Sequence, residues 1–186
     1  MDDTTQPNPR ADQLLVLRCQ LGERNAFDAL IRRWAAPLHR YAMTLAPDRD
    51  IADELVQEVW LRVLKGLPRL REPDRFQSWV FGIAHRVFAD RLRIRYAMPT
   101  EQHLDLDALP ADAADVDRHV IALAVQSGIE QLPIVEREVL TLFYLEELSL
   151  ADIATALDVP VGTVKSRLFR ARTLLRPHLT NKDLLP

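Results

Sequence analysis

One cysteine in 186 residues, Cys19, excludes an internal disulfide, and its place in the apolar-rich run from Leu14 suits a small buried hydrophobe. Glycine is scarce, at 5 residues, and no glycine-rich phosphate loop is present. His39, His85, His103, His119 and His178 show no metal-ligand spacing, and the acids in the middle of the chain lack the glycine turn of a calcium loop. No enzymatic activity, cofactor or metal is therefore expected. No apolar run approaches the roughly twenty residues that span a bilayer. Met1 to Arg10 are polar with two prolines and lack the basic start and apolar core of a secretory signal, so a cytoplasmic protein without membrane insertion is expected. Strand-period segments are missing too, which points to an all-α fold.

What is present is a chain that is 48% hydrophobic, with apolar residues recurring at helical spacing almost throughout. Asp12 can cap a short helix to Leu21, with Gly22 ending it. A second run spans 24–45, and Pro37 is expected to kink or divide it. Asp50 can cap a third helix over 51–67, whose inner side is Leu55, Val56, Val59, Trp60, Val63, Leu64 and Leu67. Its other side carries Glu54, Gln57, Glu58, Leu61 and Lys65, an apolar residue among polar ones, as interfaces have. Asp74 with Gln77 resembles a capping box for a helix over 75–95. There Phe76, Val80, Ile83, Ala84, Val87 and Phe88 point inward, while Trp79, Gly82, Arg86, Ala89 and Arg93 share the opposite side. An outward tryptophan among arginines suits a single strand, since phosphates need cations and an unstacked base needs an aromatic platform; packing on a neighbouring helix would explain Trp79 as well.

Beyond Tyr96 come Glu101, Asp105, Asp107, Asp112, Asp115 and Asp117, with Pro99 and Pro110. This composition marks a solvated linker. The expected organisation is a loose tail (1–11), a helical domain (12–96), the acidic linker (97–118), a second helical domain (119–180) and a tail (181–186). In the second domain, helices are expected over 119–131 and from Pro133 to about Leu145.

Ser149 and Asp152 then resemble a capping box, and Asp158-Val159-Pro160 interrupts the helix they begin. A further helix starts near Val161, giving a helix-turn-helix. Val161, Val164, Leu168, Ala171 and Leu175 form its apolar stripe, and Gly162, Ser166, Phe169, Arg170 and Thr173 point the other way. Lys165, Arg167, Arg170, Arg172 and Arg176 meet no acid between Asp158 and Asp183, although the whole chain is acidic with 27 Asp+Glu against 24 Lys+Arg. Cations concentrated on one helix suit DNA phosphates, and an outward Phe169 can touch a thymine methyl in the major groove.

Gly162-Thr163-Val164-Lys165-Ser166-Arg167-Leu168-Phe169-Arg170-Ala171-Arg172, with Leu132-Pro133-Ile134-Val135-Glu136-Arg137-Glu138-Val139-Leu140 before it, resembles the promoter-reading domain of extracytoplasmic-function sigma factors. The resemblance implies that Lys165, Ser166, Arg167, Phe169, Arg170 and Arg172 meet the −35 promoter element. Asp53-Glu54-Leu55-Val56-Gln57-Glu58-Val59-Trp60-Leu61-Arg62 is similar to the segment that grips the polymerase clamp. It implies that Asp53, Glu54, Gln57, Glu58 and Leu61 bind core RNA polymerase, whose β′ clamp and β subunit would be partners. Phe76-Gln77-Ser78-Trp79-Val80-Phe81-Gly82-Ile83-Ala84 resembles the part that melts and reads the −10 element, implying contacts from Trp79, Gly82, Arg86 and Arg93. Three positions depart from the family pattern: Asp158 stands for the glycine usual at the turn, Gly82 for an arginine and Arg86 for an asparagine. A charged Arg86 favours phosphate over base contact, so the family's usual base preference does not carry over. Control by an anti-sigma factor, and an acidic linker imitating nucleic acid in the polymerase cleft, are further implications. The alternative from residues alone is an autonomous dimeric helix-turn-helix regulator of a palindromic operator.

Overall fold

Five successive positions of one helix, Val80, Phe81, Gly82, Ile83 and Ala84, are all buried, so this helix is covered on every side rather than along one stripe. It is α4 (Phe76–Ala97), central in the computed structural model, which describes residues 9–97 and 128–179, with side chains described for 9–91 and 128–177. Around it pack α1 (Pro9–Gln20), α2 (Arg24–Leu45) and α3 (Arg49–Gly66) on one side and α6 (Leu150–Leu157) on another. α5 (Ile134–Tyr144) and α7 (Val161–Leu179) complete the second bundle, α5 lying against α2 and α7, and α6 against α7. Among the described residues there is no strand, and the all-α class holds. The linker beyond Ala97 and most of the helix expected over 119–131 lie outside the described residues.

Local signals account for most boundaries. Gly22 adopts φ +85°, which lets its N–H bond Cys19 O (2.9 Å) and Glu23 N–H bond Arg18 O (3.1 Å), closing α1. Asp12 does not cap that helix. It is buried, accepting from Trp34 Nε1 at 3.2 Å and paired with Arg33 at 2.6 Å, and burial raises its pKa against both partners. α3 is capped by Asp48 rather than Asp50, its carboxylate accepting from Ile51 N–H at 2.9 Å. The Asp74–Gln77 capping box is absent as well: a 3₁₀ turn, Pro73–Arg75, precedes α4, and Gln77 bonds elsewhere.

Pro37 does not divide α2, which runs unbroken from Arg24 to Leu45. An interior proline costs about 3 kcal/mol. Its neighbours Trp34, Leu38 and Tyr41 are all buried, each stabilising by roughly 1.5–3 kcal/mol, so core packing outweighs the broken ladder. Trp34 meets Phe76 and Phe81 edge-on at centroid distances of 5.5 and 6.0 Å, and Tyr41 meets Phe81 at 5.4 Å. On α3, Leu64 is exposed rather than inward, and on α7 so is Val161.

The larger apolar core runs from Val16 and Trp34 through Phe76 and Phe81 to Val139, Leu142, Ile153 and Leu168, so the two bundles share it, and Leu132, Leu140 and Ala171 form a smaller cluster. Their seam is polar at its edges. Buried Glu138 accepts from Tyr41 Oη and lies 2.8 Å from His85 Nδ1. Buried Glu146 takes both arms of Arg40 (3.1 and 3.2 Å), and its carbonyl accepts from Gln77 at 2.7 Å. Arg137 donates to Thr44 O (3.1 Å), Leu132 O (3.0 Å) and Glu130 O. Burial raises the Glu146 pKa despite Arg40, and burial also lowers that of Arg137.

The Tyr41 hydroxyl lends itself to test. Burial first, then the Glu138 charge and hydrogen bond, raise its pKa well above the ordinary tyrosine value. A raised folded-state pKa gives stability that is complete below the unfolded value of about 10 and lost as pH climbs through the folded one. Tyr41→Phe should lose about 1.5–3 kcal/mol at neutral pH, because the bonded partner is a carboxylate. Urea unfolding from pH 7 to 11 should also show a shallower alkaline decline than in the unsubstituted chain; an equally steep decline would place the titration elsewhere.

Candidate functional site

The helix-turn-helix forms through two side-chain devices. Ser149 Oγ accepts from Asp152 N–H at 3.1 Å and donates to Asp152 Oδ2 at 2.5 Å, starting α6. Asp158 then sits at φ +52°, ψ +48°, the left-handed position that ends α6 and turns the chain into α7. Val164, Leu168 and Ala171 are buried beneath α7, and Leu175 is partly so. The opposite face is open: Gly162, Lys165, Ser166, Phe169 and Arg170 are exposed, Phe169 at 72%.

Not every cation on α7 is equally free. Arg170 Nη1 donates to Glu136 Oε1 at 3.1 Å, while its side chain remains 71% exposed. Arg172 donates to Tyr144 Oη at 2.9 Å and lies over the Phe143 and Tyr144 rings at 5.9 and 5.6 Å, pinned flat by cation–π contacts. Arg167 is half-buried, and Ser166 Oγ donates back to Thr163 O. Of the −35 candidates, Lys165, Ser166, Phe169 and Arg170 thus share one exposed surface, whereas Arg167 is half-buried and Arg172 is held on the two rings.

On α3, Glu54 is exposed, Asp53 and Glu58 are half-buried, and all three are paired. Asp53 bridges His39 (3.0 Å) and Arg49 (3.9 Å), Glu54 meets Arg91 at 2.5 Å, and Glu58 meets Arg62, which also holds Asp90. Exposed pairs of this kind contribute little to stability, about 0–1 kcal/mol each. Leu61, at 59% exposure, and Leu64, at 54%, stand beside them without apolar cover, and Gln57 is exposed. The clamp candidates thus lie along one side of α3, their acids ion-paired and Leu61 exposed beside them.

The −10 candidates fare differently. Trp79 is half-buried and leans across the end of α3, where a Cβ at Gly66 would meet its ring at 2.9 Å; the Phe76 ring lies 5.8 Å away. Gly82, expected outward, is instead buried beneath α6, where a Cβ would come within 3.3 Å of Ala156 O. Two residues with little or no side chain let the helix axes approach, so the surface expected to face DNA carries α6. Arg86 is exposed beside it, and the Arg93 side chain lies outside those described.

Nothing in the sequence assigns a seam role to Arg40, Tyr41, His85, Glu138 or Glu146. Glu146 and Arg40 lie 106 positions apart, a distance at which no periodicity links them. One signal was available: Glu136 and Glu138 flank Arg137 immediately before the apolar Val139-Leu140, where acids are rarely buried without partners.

Comparison with known proteins matches residues 30–96 to the profile of Sigma-70 region 2 and residues 122–175 to that of Sigma-70, region 4. The RNA polymerase sigma-H factor of Pseudomonas aeruginosa is 33% identical over 173 residues, covering 87% of this chain and 90% of the relative. The ECF RNA polymerase sigma factor SigM of Mycobacterium tuberculosis is 34% identical over 166 residues, covering 89% and 83%. Among solved structures, the sigma factor RpoE in complex with the anti-sigma factor NepR from Bartonella quintana superposes with a TM-score of 0.65 at 22% identity, covering 84% of this chain and 98% of that one. That last likeness speaks to the fold alone.

Seating of α6 on Gly82 makes a prediction about shape. An alanine there needs a shift of a few tenths of an ångström, whereas Gly82→Arg must either expel α6 or bury a charge. Small-angle scattering should show a larger radius of gyration for Gly82→Arg with unchanged helical content by circular dichroism, and near-native dimensions for Gly82→Ala. Unaltered scattering from the arginine variant would mean that α6 does not rest there in solution.

Proposed function

Because the chain belongs to the extracytoplasmic-function branch of the sigma-70 family of RNA polymerase sigma factors, we propose that it joins core polymerase through α3 and reads promoter DNA with α4 and α7. The carrying observation is the outer face of α7, which sets Lys165, Ser166, Phe169 and Arg170 together in solvent opposite a buried stripe. Cations there neutralise phosphates, Arg170 and Ser166 can reach base edges in the −35 element, and Phe169 can meet a thymine methyl. Asp53, Glu54, Gln57, Glu58 and Leu61 suit a basic, partly apolar surface such as the polymerase clamp.

Trp79, Arg86 and Arg93 on α4 would take the separated strands of the −10 element. With α6 resting on Gly82, DNA reaches that part of α4 only after α6 moves away, and core polymerase, binding the two bundles separately, would supply the free energy. An anti-sigma factor would act in the opposite sense by holding or covering these surfaces. The protein catalyses no reaction on this reading. It works in the cytoplasm alongside polymerase, and no helix among the described residues is long and apolar enough to cross a membrane.

Run-off transcription with purified core polymerase on a promoter library tests the whole reading. Transcripts whose templates share a paired −35 and −10 element are expected, and their absence overturns it. The interface on α3 has its own check: Leu61→Asp should weaken core binding by about 1–2 kcal/mol, roughly 5- to 30-fold, because it exchanges an exposed apolar contact for a charge. Helical content should not change. Glu54→Lys with Glu58→Lys should weaken binding most at low salt. If titrations with core polymerase show affinity unmoved by either change, α3 is not the docking surface.

A further inference from the structure

Glu136 is an uneconomical residue for a stable fold. It lies 1% exposed in the first turn of α5, its Oε2 has no hydrogen-bond partner among the described residues, and its Oε1 is engaged by Arg170, whose own side chain is 71% exposed. A buried carboxylate lacking one of its bonds destabilises a domain, and an ion pair half in water returns little of that. Where a local rule is broken without structural benefit, the benefit is sought in function.

The geometry supplies one. The 3.1 Å bond uses Nη1 of Arg170 and leaves its Nε and Nη2 hydrogens unclaimed by Glu136. Those two donors lie along one edge of the guanidinium, the arrangement that binds O6 and N7 of guanine together. A long arginine side chain in water samples many rotamers, and fixing it at the moment of binding lowers affinity for the correct base. A carboxylate rooted in a different helix fixes it beforehand. Arg172 shows the contrast on the same helix, since it lies flat on Phe143 and Tyr144.

We infer that Glu136 is a positioning residue for promoter discrimination: it holds Arg170 so that one edge of the guanidinium is presented to a guanine of the upstream element. This rests on the reading of α7 as the −35 helix. In that role Glu136 never touches DNA; it alters which sequence is preferred rather than how strongly DNA is attracted.

The test is a double-substitution cycle, with holoenzyme affinities measured on every single-base variant of the upstream element. Arg170→Ala should relax preference at one base pair by roughly 5- to 150-fold, the range of a bidentate arginine–guanine contact. Glu136→Met, equal in length but without an acceptor, should relax the same base pair by a large part of that factor, leave affinity for a scrambled element unchanged, and leave the urea midpoint equal or higher. Glu136→Gln, which retains an oxygen to accept from Nη1, should restore most of the discrimination. In the Arg170→Ala background neither change at Glu136 should matter. Discrimination untouched by Glu136→Met while Arg170→Ala relaxes it overturns the inference and spares the reading of α7. A loss of equal size in both backgrounds also overturns it, because Glu136 would then act through the fold. Base preference unaltered by Arg170→Ala removes the reading and the inference together.

Discussion

A helical turn buried on every side, as α4 is over Val80–Ala84, cannot be stable in one bundle of this size, and it imposes a constraint on the whole molecule. α1, α2 and α3 cover only part of it; without α6, the face of α4 at Gly82 would stand open to water. α6 lies against that face and draws α5 and α7 with it. The shared core, the absence of a side chain at Gly82 and the paired acids at the seam all follow from this need to cover α4.

The seam combines an apolar centre with charges that are costly to bury. Glu138 and Glu146 are almost wholly inside, and each is answered from the opposite bundle, by Tyr41 and His85 or by Arg40. Such pairs add little net stability over apolar contacts, yet removing one partner is severe, so they define which faces meet. An interface built this way has one register. In the proposed function it would open, so that the reading and docking surfaces would lie apart along DNA.

Arginine does several different jobs here, and charge counting does not separate them. Arg137 stitches three carbonyls at the start of α5 and the end of α2; Arg40 and Arg62 answer acids; Arg172 lies on two rings. Arg170 on α7 combines high exposure with a tether to a buried acid. The planar guanidinium makes each of these roles possible, and its surroundings decide among them.

The helices and their inner faces were legible because helical periodicity is a local property: Val164, Leu168 and Ala171, or Leu55, Val59 and Val63, are three or four residues apart and need no distant partner to be recognised. The same holds for the Ser149 cap, the turn at Asp158 and the concentration of cations on α7. Where a local signal competes with the core, the core prevails, as at Asp12, drawn inside by Trp34 and Arg33, and at Pro37, where buried neighbours outweigh a lost backbone bond. The face of α4 was beyond any local rule. Gly82 reads as outward when α4 is considered with its own bundle, and it is buried because a helix some seventy positions later, α6, packs over it. The sequence by itself determined the elements and the chemistry each could present; tertiary structure alone decided which surfaces stay open, because burial depends on what arrives from elsewhere in the chain.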